Sequence, residues 1–392
     1  MSVFLIIGVV SGVLTWLVVL LAHAHRHRQL RELEGSLNGQ NTPPVLPPVS
    51  ILKPIRGIDD GLMENLRAIA EQDYPEFEVL IGIKDNTDPA LVAVARWQDE
   101  YPNLPVRVIT GFEDIGLNPK VNSLHALERE ARHALCLISD ADVHPLPSYL
   151  RRLVCWYSAC TAELVHSVLL GCDARSFGAI LDNLQVNSFV AGNQIALDAV
   201  KHPTVVGKSM LFRKDDLAAI GGWPAVNDTL NEDYAIGRLM DRHGMRVALC
   251  PDILPVREPR RSFRSFANRH IRWAQMRRAS RLDGYLAEPL LNPTFWGVVL
   301  ILLSLTQCEC VSSPLSWAHG AILVCAKVLA DVLLYRSLSG AWLPAAHIPL
   351  IIVKDLCIMA FWLAGFALRR VTWRDRTFLL TKGAQLKRLP DL

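Results

Sequence analysis

Paired cysteines are missing from this chain. Its nine cysteines are scattered, at 136, 155, 160, 172, 250, 308, 310, 325 and 357, and none falls in a CxxC spacing. That excludes a zinc knuckle or a disulfide framework and fits free, buried thiols in a reducing compartment. Net charge is nearly missing too. The formal charge is +3, which leaves no global case for nucleic acid, although basic residues cluster locally, as a membrane surface or a phosphate-bearing ligand requires. No GxGxxG follows the first strand-like segment, which argues against a dinucleotide-binding enzyme. No basic residue precedes the first apolar run, whereas a secretory signal carries one.

What is present in quantity is apolar character, unevenly placed. Hydrophobic residues make up 51% of 392, and the mean hydropathy of +0.23 is high for a purely soluble protein. Val3 to Ala22 is almost wholly apolar and long enough to cross a bilayer. His23, His25, Arg26, His27, Arg28 and Arg31 follow it, so the positive-inside rule places the next segment in the cytoplasm. Ala22-His23-Ala24 offers a cleavage site, but the long run without a basic start reads as an uncleaved anchor over 1–24. Residues 25–48, with Pro43-Pro44 and Pro47-Pro48, read as a linker.

From 49 to 258 the pattern is that of an α/β domain. Strands are expected at Val49–Leu52, Phe77–Ile83, Val106–Thr110 and Ala134–Ser139, and helices at Leu62–Glu71, Ala90–Glu100 and Val121–Ala131. Short apolar strands alternating with helices predict a mostly parallel sheet, with ligands beyond the carboxyl ends of its strands. A basic amphipathic segment follows over 259–288, rich in arginine from Arg260 to Arg281 and interleaved with Phe263, Phe266, Ile271, Trp273 and Met276; it is expected at a membrane surface. Residues 289–368 hold three apolar stretches, Thr294–Leu305, Leu315–Tyr335 and Trp342–Leu368, and 369–392 is a basic tail. Three full crossings from the cytoplasm would put that tail outside, against its charge. Lys354-Asp355 also sits inside the third stretch, where charge faces protein, water or a functional site. One stretch is therefore expected to be re-entrant or interfacial.

Three acidic sites and two basic ones carry the chemistry. Asp85 and Asp140-Ala141-Asp142 directly follow strands, and Asp233 lies in Asn231-Glu232-Asp233-Tyr234. A D-x-D at a strand end offers hard oxygen ligands to Mg2+ or Mn2+, which bridges to phosphates. Asp140 and Asp142 are the metal candidates, with Asp140 also toward the nucleotide diphosphate. Asp85 suits the base or ribose, and Asp233 suits a general base for an attacking hydroxyl. Each alone reads more readily as a turn, cap or surface residue, and the ordered set is what makes the pattern specific. Gly116-Leu117-Asn118-Pro119-Lys120 opens a helix and offers Lys120 to phosphate. Arg269 and Arg272 share a helical face, and Trp273 adds an aromatic platform; read without the acids, they would be a basic stop and an interfacial anchor.

Taken in order, Asp85, Asp140/Asp142, Asp233 and Arg-x-x-Arg-Trp at 269–273 resemble the D, D, D, (Q/R)xxRW pattern of membrane-bound inverting glycosyltransferases with a GT-A nucleotide-sugar domain. Ile51 to Asp59, Asp73-Tyr74-Pro75, Glu78 to Pro89, Gly116 to Asn122, Gly207-Lys208-Ser209-Met210 with Arg213-Lys214-Asp215, and Thr372-Trp373-Arg374 narrow the resemblance to the ceramide glucosyltransferase family, over most of residues 1–380. The resemblance implies a GT-A domain flanked by N-terminal and C-terminal transmembrane helices, a UDP-sugar donor, Mg2+ or Mn2+, and inversion. It makes Asp85 nucleotide-binding, Asp140 and Asp142 metal- and diphosphate-binding and Asp233 the base, with Arg272 and Trp273 on the diphosphate and acceptor side. The animal enzymes have Asp-Ser-Gly at 140–142, so sugar and acceptor are open. A bacterial branch that adds N-acetylglucosamine to hopanoids shares the motif set.

The expected function is transfer of glucose or N-acetylglucosamine from a UDP-sugar to a hydroxyl of a ceramide-like or hopanoid lipid. The expected partners are the bilayer and its lipid, not nucleic acid. Frequent Ala and Arg fit a GC-rich bacterial genome, so the expected location is a bacterial inner membrane, with the catalytic domain facing the cytoplasm. Two alternatives share the motifs: a processive polysaccharide synthase, which needs more crossings for its export channel, and a membrane-anchored nucleotide-sugar-binding protein without catalysis, which has no need of every carboxylate.

Overall fold

Strand-forming Val, Ile and Leu runs in the middle of the chain pair as the alternation requires. A computed structural model describes residues 3–38, 46–202, 204–306, 316–373 and 376–389. They divide into two compact units: a sheet unit of His25–Ala174 with Leu197–Pro259, and a helical unit of Met1–Ala24, Arg175–Ala196 and Arg260–Leu392.

The sheet unit is built on β1 (Val49–Pro54), β2 (Phe77–Gly82), β3 (Val106–Ile109), β4 (Leu135–Ser139), β5 (Leu164–Cys172), β6 (Ser209–Arg213) and β7 (Val247–Arg257). Their order is β3-β2-β1-β4-β6-β5-β7. β1 pairs parallel with β2 and β4, β2 with β3, and β5 with β7, while β6 runs antiparallel between β4 and β5. The chain winds outward from β1 in one direction and resumes at β4 on its other side. That switch opens a crevice at the carboxyl ends of β1 and β4, the usual ligand position in such sheets. Helix Pro119–Glu130 covers the sheet through Val121, Leu124 and Leu127, packed with Leu52, Leu80, Ile138 and Phe212. Each such fully buried aliphatic side chain contributes about 2 kcal/mol by leaving water.

The helical unit contains the apolar stretches. Among the described residues, three helices are each long and apolar enough to cross a membrane: Val3–Leu37, Trp317–Ser339 and Ala345–Ala367. The first extends through the expected linker, whose residues up to Asn38 are helical. Helix-forming side chains, an Arg28–Glu32 pair one turn apart at 3.6 Å and a fully buried Leu33 sustain it. The rest of the Pro-rich segment to 45 lies outside the described residues.

The stretch Pro293–Leu305 has 13 residues, about 20 Å of helix against roughly 30 Å of hydrocarbon. It is bent by 58° from Leu282–Leu291. Asn292 caps its start, accepting from Phe295 N at 3.1 Å, and Pro293 needs no N–H partner there. Gly297 packs on Gly320 so closely that a Cβ on either would lie within 2.6 Å of the other's carbonyl oxygen, the small-residue contact that joins helices in lipid.

Residues 175–196, counted with the α/β domain in the sequence reading, pack in the helical unit. The reason is side-chain burial: Leu184 joins Leu343 and Ile351 in one apolar cluster. The basic tail is folded as an antiparallel sheet of Arg370–Trp373, Arg376–Leu380 and Leu386–Arg388, with Phe378, Leu380 and Leu386 buried. Arg374, part of the Thr-Trp-Arg motif, lies outside the described residues.

Candidate active site

The carboxyl ends of β1 and β4, the turn before Pro119–Glu130, the loop before β6 and the start of helix Glu232–Arg242 bring one cluster together in the sheet unit. Lys120 is its hub. Its ammonium lies 2.9 Å from Asp140 Oδ1 and 3.2 Å from Glu232 Oε1 and donates to Gly207 O at 2.9 Å. Burial disfavours that charge, but Asp140, Glu232 and Asp233 outweigh it and hold the lysine above its ordinary value. Asn118 sets the geometry from beneath. Its side-chain oxygen accepts from Lys120 N and Val121 N, capping the helix, while its amide donates to Thr229 O at 2.7 Å and Glu232 Oε2 at 3.2 Å.

Asp142 meets a second lysine. Lys208 Nζ lies 2.6 Å from Asp142 Oδ1 and 4.0 Å from Asp140 Oδ2. A third, Lys53, is fully buried on β1 and donates to the backbone oxygen of Asp140 at 2.8 Å. Burial pulls its pKa down to about 8, against the pull of Asp140 and Asp142. The D-x-D turn is thus pinned by its own backbone, with Asp140 N donating to Lys208 O and Arg257 N to Asp142 O, while its carboxylates face cations. Two adjacent oxygen-donor carboxylates that hold ammonium groups fit a hard divalent ion. Among the described residues no third His, Cys, Asp or Glu joins them, so a cation there would complete its shell from substrate phosphate and water, as Mg2+ commonly does.

Asp233 is fixed by two backbone donors. Gly207 N donates to Oδ2 at 2.6 Å and Tyr234 N to Oδ1 at 2.8 Å. Gly207 is required for this approach, because a Cβ there would lie 2.7 Å from Asp233 Cβ. Burial raises the Asp233 carboxyl above its ordinary range, partly offset by Lys120 and the two N–H donors; burial and the neighbouring Asp233 charge raise Glu232 likewise. A carboxylate with raised proton affinity is suited to take a proton near neutral pH.

Asp85 stands apart from this cluster. It is exposed, and its Oδ1 accepts from Thr87 N and Oγ1 at 2.8 and 2.7 Å, which holds its pKa low. The loop is organised by Asp88, which accepts from Ala90 N at 2.8 Å and from Gly57 N at 2.9 Å and so ties the β2 loop to the β1 loop.

Arg269, Arg272 and Trp273 lie on helix Phe263–Ser280 of the helical unit. Arg269 is buried against Asp182 at 3.3 Å, and its guanidinium sits 4.5 Å from the Trp273 ring. His270 Nε2 is 2.8 Å from the other Asp182 oxygen, and Arg261 Nε is 3.6 Å from Oδ2. Asp182 therefore organises the Arg-x-x-Arg-Trp helix, with Arg272 and Trp273 half-buried beside it.

Sequence reasoning brought Lys120, Asp140, Asp142 and Asp233 forward as separate motifs, and the fold joins them. It assigned no role to Lys208, Lys53, Asn118, Asp88 or Asp182. Lys53, Asp88, Asn118 and Lys208 lie within motif stretches quoted above, but only as motif letters, and Asp182 lies in none.

The profile of Glycosyl transferase family 21 matches residues 11–386. Ceramide glucosyltransferase 1 of Caenorhabditis elegans is 26% identical over 269 residues, which cover 66% of this chain and 55% of the relative. Ceramide glucosyltransferase 3 of the same organism is 28% identical over 246 residues, 62% and 54% of the two chains. The chain thus spans about half the length of these curated relatives. A mannosyltransferase, PcManGT of Pyrobaculum calidifontis, solved with GDP-Man and Mn2+, superposes with a TM-score of 0.50 at 19% identity, covering 92% of this chain and 99% of that one. The fold is α/β and GT-A-like, with a mostly parallel sheet, and the chain belongs to glycosyl transferase family 21.

Proposed function

We propose that this protein is an inverting glycosyltransferase that moves glucose or N-acetylglucosamine from a UDP-sugar to a hydroxyl of a membrane lipid, ceramide-like or hopanoid. The observation that carries the reading is the Lys120–Asp140–Glu232–Asp233 cluster, in a chain with three helices among its described residues apolar enough to cross a membrane. Asp233 receives the proton of the acceptor hydroxyl as that oxygen bonds to the anomeric carbon and the bond to UDP breaks. Attack opposite the leaving group inverts the centre. Asp140 and Asp142 would hold Mg2+ or Mn2+, which neutralises charge on the departing diphosphate. Lys120 and Lys208 lie on those carboxylates and are placed to turn to phosphate oxygens. Asp85 is assigned to the nucleoside. Arg272 with Trp273 is assigned to the diphosphate and acceptor side, while Arg269, committed to Asp182, positions them. The sheet unit would face the cytoplasm, with Pro293–Leu305 re-entrant and helix Phe263–Ser280 at the interface.

The test is radiolabel transfer by the purified chain with UDP-glucose or UDP-N-acetylglucosamine, Mg2+ or Mn2+, and either ceramide or bacteriohopanetetrol. Labelled glycolipid is the expected product, and the pair that reacts names sugar and acceptor. Release of UDP with no lipid labelled would overturn the lipid acceptor.

A further inference from the structure

Four charged side chains are buried where lipid-spanning helices have little use for them. Lys327 and Asp331 are one turn apart on helix Ser316–Ser339, Lys354 and Asp355 are adjacent on helix Ile348–Ala367, and each is more than nine-tenths buried. Lys327 Nζ lies 2.5 Å from Asp331 Oδ2 and 3.5 Å from Asp355 Oδ2, and Lys354 Nζ lies 3.2 Å from Asp331 Oδ2 and 2.6 Å from Asp355 Oδ1. Thr294 Oγ1 donates to Asp355 at 2.6 Å. The quartet closes on itself with zero net charge. Packing alone does not call for it, because apolar residues of similar volume commonly do as well or better in place of a buried ion pair. Ionisable groups within spans mark substrate or ion pathways instead.

Three further features converge on the same place. The quartet lines a cavity of about 60 Å³, room for about four to six waters. Ser188 lines it from Val186–Val190, a single π-helical turn between two α-helical segments, a distortion that recurs at functional sites. Ser188 Oγ accepts from Lys354 Nζ at 3.2 Å. Thr15 also lines the cavity; it is 7% exposed and its Oγ1 has no hydrogen-bond partner. A buried hydroxyl left without a partner is destabilising, and a bound polar group would relieve that cost. Val19, Leu334, Met359 and Trp362 give the wall an apolar side, while Gln185, Asn193, Asn292 and Glu288, whose charge is paired with Arg277 at 2.5 Å, add further polar groups.

We propose that this cavity seats the polar head of the lipid acceptor, an uncharged head rich in hydroxyl or amide groups, with its hydrocarbon along the apolar wall. The inference rests on the lipid-acceptor reading above. A quartet of two ammonium and two carboxylate groups offers both donors and acceptors. An anionic head would meet two carboxylates and a cationic head two ammonium groups, whereas a neutral polyol or amide satisfies both signs.

The test is photo-crosslinking of the full chain in phosphatidylcholine nanodiscs with a ceramide carrying a diazirine in its acyl chain, the adducts being mapped by peptide mass spectrometry. Adducts are expected within 185–193, 327–334 and 354–362, competed by unlabelled ceramide or bacteriohopanetetrol but not by phosphatidylglycerol. Thr15→Val and Ser188→Ala should each lower adduct yield and raise the KM for lipid about fivefold, the equivalent of one hydrogen bond, at unchanged KM for the donor. Adducts confined to other segments, equal competition by phosphatidylglycerol, or unchanged yield in both variants would overturn the proposal. Crosslinking needs no turnover, so the two readings fail separately. Adducts in the cavity without sugar transfer would remove the proposed function, and transfer without adducts there would remove the cavity.

Discussion

Asp233 is the proposed base, and its surroundings are what support that assignment. Two backbone N–H groups aim its carboxylate, and burial lifts its proton affinity. Asp233→Asn should lower kcat by about 10²–10⁴, the usual contribution of a general base, with donor affinity within about twofold. Because the raised carboxyl is protonated at a higher pH than an ordinary aspartate, kcat/KM should fall as pH drops through a value above 3.8, and the residual activity of the variant should lose that limb. Near-normal turnover by the variant would remove the assignment. Asp142→Asn should act on the donor instead, raising the Mn2+ concentration needed for UDP-sugar binding by about tenfold or more, read by titration against wild type. Lys53 makes a prediction about stability. Its folded pKa of about 8 lies below the unfolded 10.5, so the unfolded chain holds more protons in between and stability gained from this group rises from pH 8 to 10.5. Chemical denaturation across that window should show a slope in wild type that Lys53→Met flattens.

At the scale of elements, the helix carrying Arg-x-x-Arg-Trp is held by a carboxylate distant in sequence. Burial alone would raise the Asp182 carboxyl, but Arg269, the hydrogen bond from His270 and Arg261 outweigh it and hold it well below the usual range. Its contribution is present above pH 3.8 and is lost as pH falls below that value, through the depressed pKa. Asp182→Asn would remove the carboxylate that faces Arg269, His270 and Arg261, at a cost of about 3–5 kcal/mol, visible as a lower Tm at neutral pH. A Tm within error of wild type would show that the helix is held by its apolar contacts. Such partnerships explain what the sequence did and did not disclose. The elements up to Ser139 were legible because strand and helix periods alternate between turn signals, and Ala90–Glu100 matches its expected bounds. The antiparallel β6 and the placement of 175–196 were not, because each depends on partners far along the chain, as Leu184 does on Leu343 and Ile351. Asp140 and Asp233 were visible as motif letters, whereas the lysine joining them was not visible as a hub. Its contacts reach Gly207, 87 residues away.

On the scale of the whole molecule, the unresolved question in the sequence was how a basic tail returns to the cytoplasmic side. Helix Pro293–Leu305, 13 residues long and bent by 58° from Leu282–Leu291, falls short of a bilayer of roughly 30 Å by itself and reaches span length only together with that predecessor. If it enters and leaves on one face, Ser316–Ser339 crosses outward and Ile348–Ala367 crosses back. The turn at 340–347 then lies outside, and the strands from Arg370 to Arg388 lie with the sheet unit's side, as their arginines and lysines favour. Single cysteines placed at Ala341 and Lys387, in a background whose native cysteines are replaced, should behave oppositely in sealed right-side-out vesicles. An impermeant maleimide should label position 341 directly and position 387 only after permeabilisation. Labelling of position 387 from outside would require an odd number of crossings after the sheet unit, and Pro293–Leu305 would then have to span.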